Sequence, residues 1–247
     1  MKSSDETDPK FLNIDPLRKS YTERIVENVE QIEALRARNV ALLCIDLQYL
    51  DAAPGHGVFR EAEKSGVPLE AQAFYFSTLE HTVLPNVRRL QDVFRDHRLE
   101  VIHVRICSLT RDGRDRSTGH RRLGLLAAPG SREADFIERV APLGDEIVIN
   151  KTASGVFNST NIEYVLRNIG VDSLFVTGVY TDECISTTVR DANDRGFFVT
   201  VIEDGCATVT PDRHDFTIAT LRDRYTRVLT TERAIDEISR HVDADAS

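Results

Sequence analysis

A thiol, a carboxylate and an amine that meet at one point can carry out acyl transfer, and Cys184, Asp46 and Lys151 are the candidates here. A cysteine attacks a carbonyl carbon only as its thiolate. Cys184 stands where a helix is expected to begin, and the positive end of a helix dipole favours an anion. Asp46 is the candidate base for the thiol proton. Burial beside an apolar strand would raise the Asp46 pKa and a neighbouring lysine would lower it, a balance the sequence leaves open. Lys151 would hold the two acidic groups together and offset developing negative charge. The turn Gly178-Val-Tyr-Thr-Asp-Glu-Cys184 offers backbone N–H groups beside the sulfur, as a carbonyl oxyanion requires. Each residue also has an ordinary reading: a packed cysteine, a capping aspartate, a solvated lysine. Shared position at strand ends is what lifts the three above background.

The elements that must position them alternate between strand and helix. Residues 40–46 form a short apolar run that closes on an acid, the pattern of a buried parallel strand. Further strands are expected at 99–106, 146–150, 173–179, 197–202 and 225–229. Leu79, Val83, Val87, Leu90 and Phe94 give a helical stripe, with Pro85 early in that helix or kinking it. A short helix is expected over 134–140. Thr160 and Glu163 read as a capping box, followed by a face of Ile162, Val165, Leu166 and Ile169 and a stop at Gly170. Ile185, Thr188, Val189 and Ala192 line the inner face of the next helix, which ends at Gly196. This order predicts a three-layer α/β/α, Rossmann-like fold around a mainly parallel six-stranded sheet. Ligands bind such sheets beyond the carboxyl ends of the strands. Asp46 ends the first strand, Lys151 follows the third, and Cys184 comes just after the fourth.

The bulk properties narrow the function. One α/β domain accounts for 247 residues. The expected organisation is an N-terminal arm at 1–38, one catalytic domain at 39–240 and a flexible tail at 241–247. Residues through Pro16 read as a flexible lead-in, and 22–38 as a charged helical or extended arm. A net charge of −9 gives no general attraction for nucleic acid or an anionic membrane. The polar, acidic first ten residues do not read as a secretory signal. Four scattered cysteines, none in a CxxC pair, fit free thiols in the cytoplasm. The histidines lack metal-motif spacing and receive no role. A nucleotide-binding Rossmann domain would need a glycine-rich turn after the first strand, where Asp46-Leu-Gln-Tyr-Leu-Asp51 has none.

At these positions the chain resembles the isochorismatase-like cysteine hydrolases, a group that includes nicotinamidases and N-carbamoylsarcosine, ureidoacrylate and biuret hydrolases. Ile45-Asp-Leu-Gln48 resembles the family's D-x-Q motif. Asn150-Lys151 with Ser154-Gly-Val-Phe157 and Thr160 resembles its lysine motif. Gly178 to Cys184, with Thr188-Val-Arg-Asp-Ala192, resembles its G-x-x-T-x-x-C motif, and Glu203-Asp204-Gly-Cys-Ala207 the segment after the next strand. The resemblance runs from about Val40 to Leu229. It implies Asp46 as general base, Lys151 as the bridge and Cys184 as the nucleophile that forms a thioester. It also implies a cis peptide at Val179–Tyr180 and an oxyanion hole from the N–H groups of Tyr180 and Cys184. Gln48, Arg105, Phe157 and Tyr180 are the candidate substrate contacts. The implied partner is a small amide, carbamoyl or ureido compound, cleaved to release ammonia or an amine, and the implied assembly is a homodimer or homotetramer.

Departures from the family pattern refine this expectation. Asp51 is followed by Ala52 and Ala53, and His56 is displaced from the nicotinamidase metal motif. No metal and no other cofactor is therefore expected, and nicotinamide recedes as substrate. The stretch 50–79 reads equally as a lid or subunit contact and as a packed surface loop. Arg111, Arg114, Arg116, Arg121 and Arg122 read first as a solvated loop, and second as a source of one arginine for a substrate carboxylate. Two other functions compete: vinyl-ether hydrolysis, which has no use for Cys184, and a non-enzymatic interaction role, which has no use for all three polar residues.

Overall fold

A computed structural model describes residues 29–242. Its strands are β1 (Val40–Ile45), β2 (Glu100–Ile106), β3 (Ile147–Lys151), β4 (Ser173–Val179), β5 (Phe198–Ala207) and β6 (Arg227–Leu229). They form one sheet in the order β3-β2-β1-β4-β5-β6, with every pairing parallel. The order reverses between β2 and β4, on either side of β1, so the carboxyl end of β1 lies at the crevice where such sheets bind ligands.

The helices are α1 (Val29–Arg36), α2 (Tyr49–Ala52), α3 (Leu69–Thr78), α4 (Leu84–Asp96), α5 (Thr118–Arg122), α6 (Ile162–Asn168), α7 (Ser186–Asp194), α8 (Pro211–Leu221) and α9 (Thr231–Val242). Successive strand side chains point to opposite faces, and β1 divides accordingly. Leu42 and Cys44 join Val87, Leu90 and Phe94 of α4 and Ile238 of α9 in one core. Ala41, Leu43 and Ile45 join Leu166 of α6, Val189 of α7 and Ile218 of α8 in the other. The fold is therefore the expected three-layer α/β/α arrangement.

Several local expectations change. The helical stripe from Leu79 continues a helix that starts ten residues earlier, at Leu69, through a wider turn at Leu79–Val83. Pro85 falls in the first turn of α4. A proline ring crowds the carbonyl four residues back, and the wider turn accommodates it. Residues 134–140 do not form one helix; they form two short turns, Arg132–Ala134 and Glu138–Val140. The backbone between them is committed elsewhere: Tyr49 N donates to Asp135 O at 2.9 Å and Ile137 N to Leu47 O at 2.9 Å. The Thr160–Glu163 capping box does not form either. Thr160 Oγ1 accepts from Ile162 N at 3.1 Å, while Glu163 pairs with Arg195 at 3.0 Å. Gly170 and Gly196 do end α6 and α7 with positive φ, 74° and 80°.

The packed domain also extends past 39–240. Leu35 of α1 and Val242 of α9 are both buried in the first core. The lead-in through Pro16, residues 22–28 of the expected arm and residues 243–247 of the tail lie outside the described residues.

Candidate active site

Asp46 sits one residue past β1, and its backbone turns sharply there. Its φ is +55°, a left-handed value that aspartate tolerates better than most residues. Asp46 N still donates to Val104 O at 2.8 Å, so the turn follows directly on the last sheet hydrogen bond. Behind it runs β4. Gly178, at φ +123°, passes so close that a Cβ would stand 1.9 Å from Ile45 O. Only glycine combines that φ with that approach, and it lets the nucleophile turn pass beside the carboxylate.

Lys151 is the last residue of β3, two strand positions away from β1. Two strand spacings are about 10 Å, which is why a long side chain is needed. Lys151 Nζ crosses beyond the end of β2 to reach Asp46 Oδ2 at 2.9 Å and Cys184 Sγ at 3.4 Å. Its third partner is Ala153 O at 3.0 Å. Asp46 and Lys151 are fully buried, and Cys184 is 4 % exposed.

Cys184 stands in a widened turn, Thr181–Ile185, between β4 and α7. Side chains from α7 and α8 hold that turn. Thr188 Oγ1 donates to Cys184 O at 2.6 Å, and Thr181 Oγ1 bonds His214 Nδ1 of α8 at 2.9 Å. Arg213 Nε, beside it on α8, donates to Asp182 Oδ2 at 2.6 Å. The Val179–Tyr180 peptide is cis, as the resemblance implies.

Burial governs the electrostatics. It pushes the Cys184 thiol well up, with Lys151 pulling the other way and Asp46 and Asp51 adding to the rise. Burial likewise raises the Asp46 carboxyl against the opposing pull of Lys151. Burial works against charge on Lys151, but Asp46 and Cys184 outweigh it and hold the amine protonated. Burial thus favours the neutral thiol form of Cys184 beside a charged lysine. A helix dipole alone does not make it a thiolate; attack requires transfer of its proton to a nearby base.

The sulfur opens into a cavity of about 590 Å³. Tyr180, from the expected set, lines it, with its hydroxyl donating to Asp51 O at 3.3 Å and its ring 5.2 Å from Tyr75. The other expected substrate contacts do not reach it. Gln48 is fully buried and bonded throughout: Nε2 donates to Ile106 O at 2.9 Å and Glu133 O at 2.7 Å, and Oε1 accepts from Ile106 N at 2.6 Å. It ties the turn after β1 to the end of β2. Arg105 is held by Asn150 Oδ1 at 2.8 Å and Ala134 O at 2.7 Å, and lies over the Phe136 ring. Phe157 packs against Phe197 in the second core.

The stretch 50–79 forms a wall of the cavity through Asp51, Val58, Phe59, Ser65 and Val67, with Phe59 and Tyr75 in the first core and residues 60–64 exposed. From the 111–122 loop, Ser117, Gly119 and His120 line the cavity and the arginines do not. Arg116 is bonded to Gly113 O and Leu125 O, and Arg121 to Arg114 O. Asp51, His120, Ser154 and Glu183 receive no site role from the sequence, although Ser154 lies inside the lysine motif and Glu183 inside the nucleophile turn, and that membership is the signal available. Ser154 Oγ lies 3.7 Å from Cys184 Sγ. Among the described residues, no cluster of three His, Cys, Asp or Glu side chains is arranged to hold a metal ion. No helix among them is long and apolar enough to cross a membrane.

An all-parallel α/β sheet thus carries a buried Asp–Lys–Cys cluster at its carboxyl edge. The chain belongs to the isochorismatase family: residues 40–233 match the Isochorismatase domain. It is 31 % identical over 111 residues to the uncharacterized isochorismatase family protein YrdC of Bacillus subtilis, covering 40 % of this chain and 59 % of that protein. It is 32 % identical over 124 residues to the N-carbamoylsarcosine amidase of Arthrobacter sp., covering 47 % and 46 %. An isochorismatase family protein from Desulfovibrio vulgaris has a similar structure, with a TM-score of 0.67 at 27 % identity, covering 82 % of this chain and all of that one. The sequence matches to these two curated relatives thus span about half of their lengths.

Proposed function

We propose that this hydrolase is a cysteine-dependent amidohydrolase that cleaves a C–N bond of a small amide, carbamoyl or ureido compound through a thioester. The observation that carries the reading is the Lys151 ammonium held between Asp46 Oδ2 at 2.9 Å and Cys184 Sγ at 3.4 Å beside a cavity that the sulfur lines. A buried carboxylate with a raised pKa is a better base than an exposed one. Asp46 takes the thiol proton as the sulfur attacks the carbonyl carbon. The N–H groups of Tyr180 and Cys184 hold the oxyanion, and Lys151 offsets the added charge. When the intermediate collapses, protonated Asp46 gives its proton to the departing nitrogen, which leaves as ammonia or an amine. Asp46 then accepts a proton from water as it attacks the thioester, and returns it to the sulfur as the acid product departs. The kinship with an amidase supports this chemistry over vinyl-ether cleavage, as does the presence of Cys184 in the cluster.

Ammonia release from a panel of amides, ureides and lactams tests the reading. Cys184→Ala is expected to lose more than about a thousandfold in kcat/KM, as removal of a covalent nucleophile does. Full activity in that variant would overturn the mechanism. The same reading includes a homodimer or homotetramer, which light scattering on the purified chain would test.

A further inference from the structure

The cavity beside Cys184 holds polar groups that the chemical step does not use. Asp51 is 3 % exposed, lines the cavity, and its Oδ2 has no hydrogen-bond partner. His120 is 6 % exposed, lines the same cavity, and its Nδ1 has no partner either. Buried polar atoms are paired in the great majority of cases, so two orphans in one cavity call for a ligand or water that pairs them. They reach the site from separate segments, α2 and α5.

The charges around the cavity select among ligands. Two carboxyl groups line it, Asp51 and Glu183. Arg213 is the one arginine among the described lining residues, and it is engaged by Asp182 and by Glu183, the latter at 3.7 Å. Lys151 is committed to Asp46, Cys184 and Ala153 O. Among the described lining residues no bidentate arginine stands ready for a second carboxylate, although such a fork is the usual means of binding one. The arginines of the 111–122 loop do not line the cavity. The remaining walls are largely apolar, with Val58, Phe59, Val67, Ile106, Leu125 and Val209.

We propose that Asp51 and His120 bind the part of the substrate that does not react, and that this part is uncharged or cationic and bears N–H groups, not a carboxylate. The proposal rests on the amidohydrolase reading and narrows its substrate class. The protonation of the two residues is consistent with it. Burial first, and then Asp46 and Glu183, push Asp51 well above the carboxylate range, while Lys151 opposes the rise. Burial, with Lys151 and Arg116, lowers His120 to about 4. Two neutral hydrogen-bonding groups beside an acidic rim accept N–H donors. An entering anion would meet Glu183 and lose its hydration, while the one lining cation, Arg213, is already paired with Asp182 and Glu183.

The test uses charge-matched probes on the whole chain. Cys184 alkylation is measured with iodoacetamide and iodoacetate, each rate normalised to that of glutathione. The amide reagent is expected to react at least tenfold faster than the carboxylate after normalisation. Glu183→Gln, which removes the carboxylate at the rim, is expected to narrow that ratio at least threefold, whereas Asp51→Asn, one neutral group for another, is expected to leave it within about twofold. Equal normalised rates, or faster iodoacetate, would overturn the charge selection. Binding is read separately from nucleophile reactivity. In Cys184→Ala protein, succinamide and 4-aminobutanamide at 10 mM are expected to raise Tm, and succinamate is not. A shift from succinamate alone, or from none of the three, overturns the proposal. The matched succinamide experiment in a Cys184→Ala/His120→Ala chain is expected to lose the shift, and its full retention removes His120 from the site. A cysteine hydrolase that prefers carboxylate amides would sink this inference and leave the proposed function standing. Loss of all cysteine-dependent amide hydrolysis would sink the function itself.

Discussion

Lys151→Met is the most informative perturbation, because it removes one charge from a pair with no access to water. Asp46 and Lys151 are both fully buried and 2.9 Å apart. Removing one partner of a buried ion pair typically costs about 3–5 kcal/mol, because the other charge remains without compensation. At about 2–4 °C per kcal/mol for a chain of this size, Tm falls by roughly 6–20 °C. The loss depends on pH, and its sign follows from Asp46. Its folded pKa already lies above the unfolded value, and loss of the lysine raises it further. An acid with a raised folded pKa contributes its full stability below the unfolded pKa and loses it as pH rises towards the folded one. The deficit of the variant is therefore large at pH 8 and small at pH 5. In acid, the wild type itself holds Lys151 beside a carboxyl that is losing its charge, which narrows the gap from the other side. Urea unfolding at the two pH values measures this. Asp46→Asn/Lys151→Met, with both charges gone, is expected to recover most of the loss. A deficit below about 1 kcal/mol at pH 8, or a double variant no more stable than the single one, would refute the ion-pair argument. Activity should fall by about 10²–10³-fold in the single variant, since charge stabilisation at the reacting centre is lost.

Other consequences are as direct. Gln48→Ala removes three hydrogen bonds, two of them buried, and should cost roughly 2–4 kcal/mol of stability, with KM unchanged in steady-state assays; a raised KM at unchanged stability would return Gln48 to the substrate. Gly178→Ala places a Cβ 1.9 Å from Ile45 O at a φ of +123°. Its cost should exceed about 4 kcal/mol, visible as a collapsed yield of soluble protein or a Tm lowered by well over ten degrees. The pH–rate profile should have an acid limb above the ordinary carboxylate value of about 4, because burial raises Asp46 and activity is lost as it takes up a proton. A limb at or below that value would mean that a different group serves as the base.

The site is partly legible in the chain itself. Asp46 and Lys151 close apolar strands and Cys184 lies in the turn after another, and the structure brings all three together. Gln48, Arg105 and Phe157 lie in or near the same motifs and do not reach the cavity. Nearness along the chain does not set side-chain direction: Gln48 turns inward onto Ile106 and Glu133, and Arg105 stays with its neighbour on β3. The helix expected over 134–140 fails for a related reason. Its backbone groups bond the turn after β1, nearly ninety residues earlier in the chain, so local propensity gives way to tertiary pairing.

Sequence alone determined the order of the six strands, the sharp stops at Gly170 and Gly196, and the location of a thiol, a carboxylate and an amine at or just past strand ends. Those features depend on each residue's immediate neighbours, through apolar periodicity and the backbone freedom of glycine. Only the tertiary structure decided that β3 lies two strands from β1, so that Lys151 must reach across the end of β2 to bridge Asp46 and Cys184. It also decided that Asp51 and His120 face one cavity while the loop arginines do not. Both depend on contacts between segments far apart in the chain. The burial that raises the Asp46 and Cys184 pKa values has the same origin, because desolvation is set by everything packed around a group and not by its neighbours in sequence.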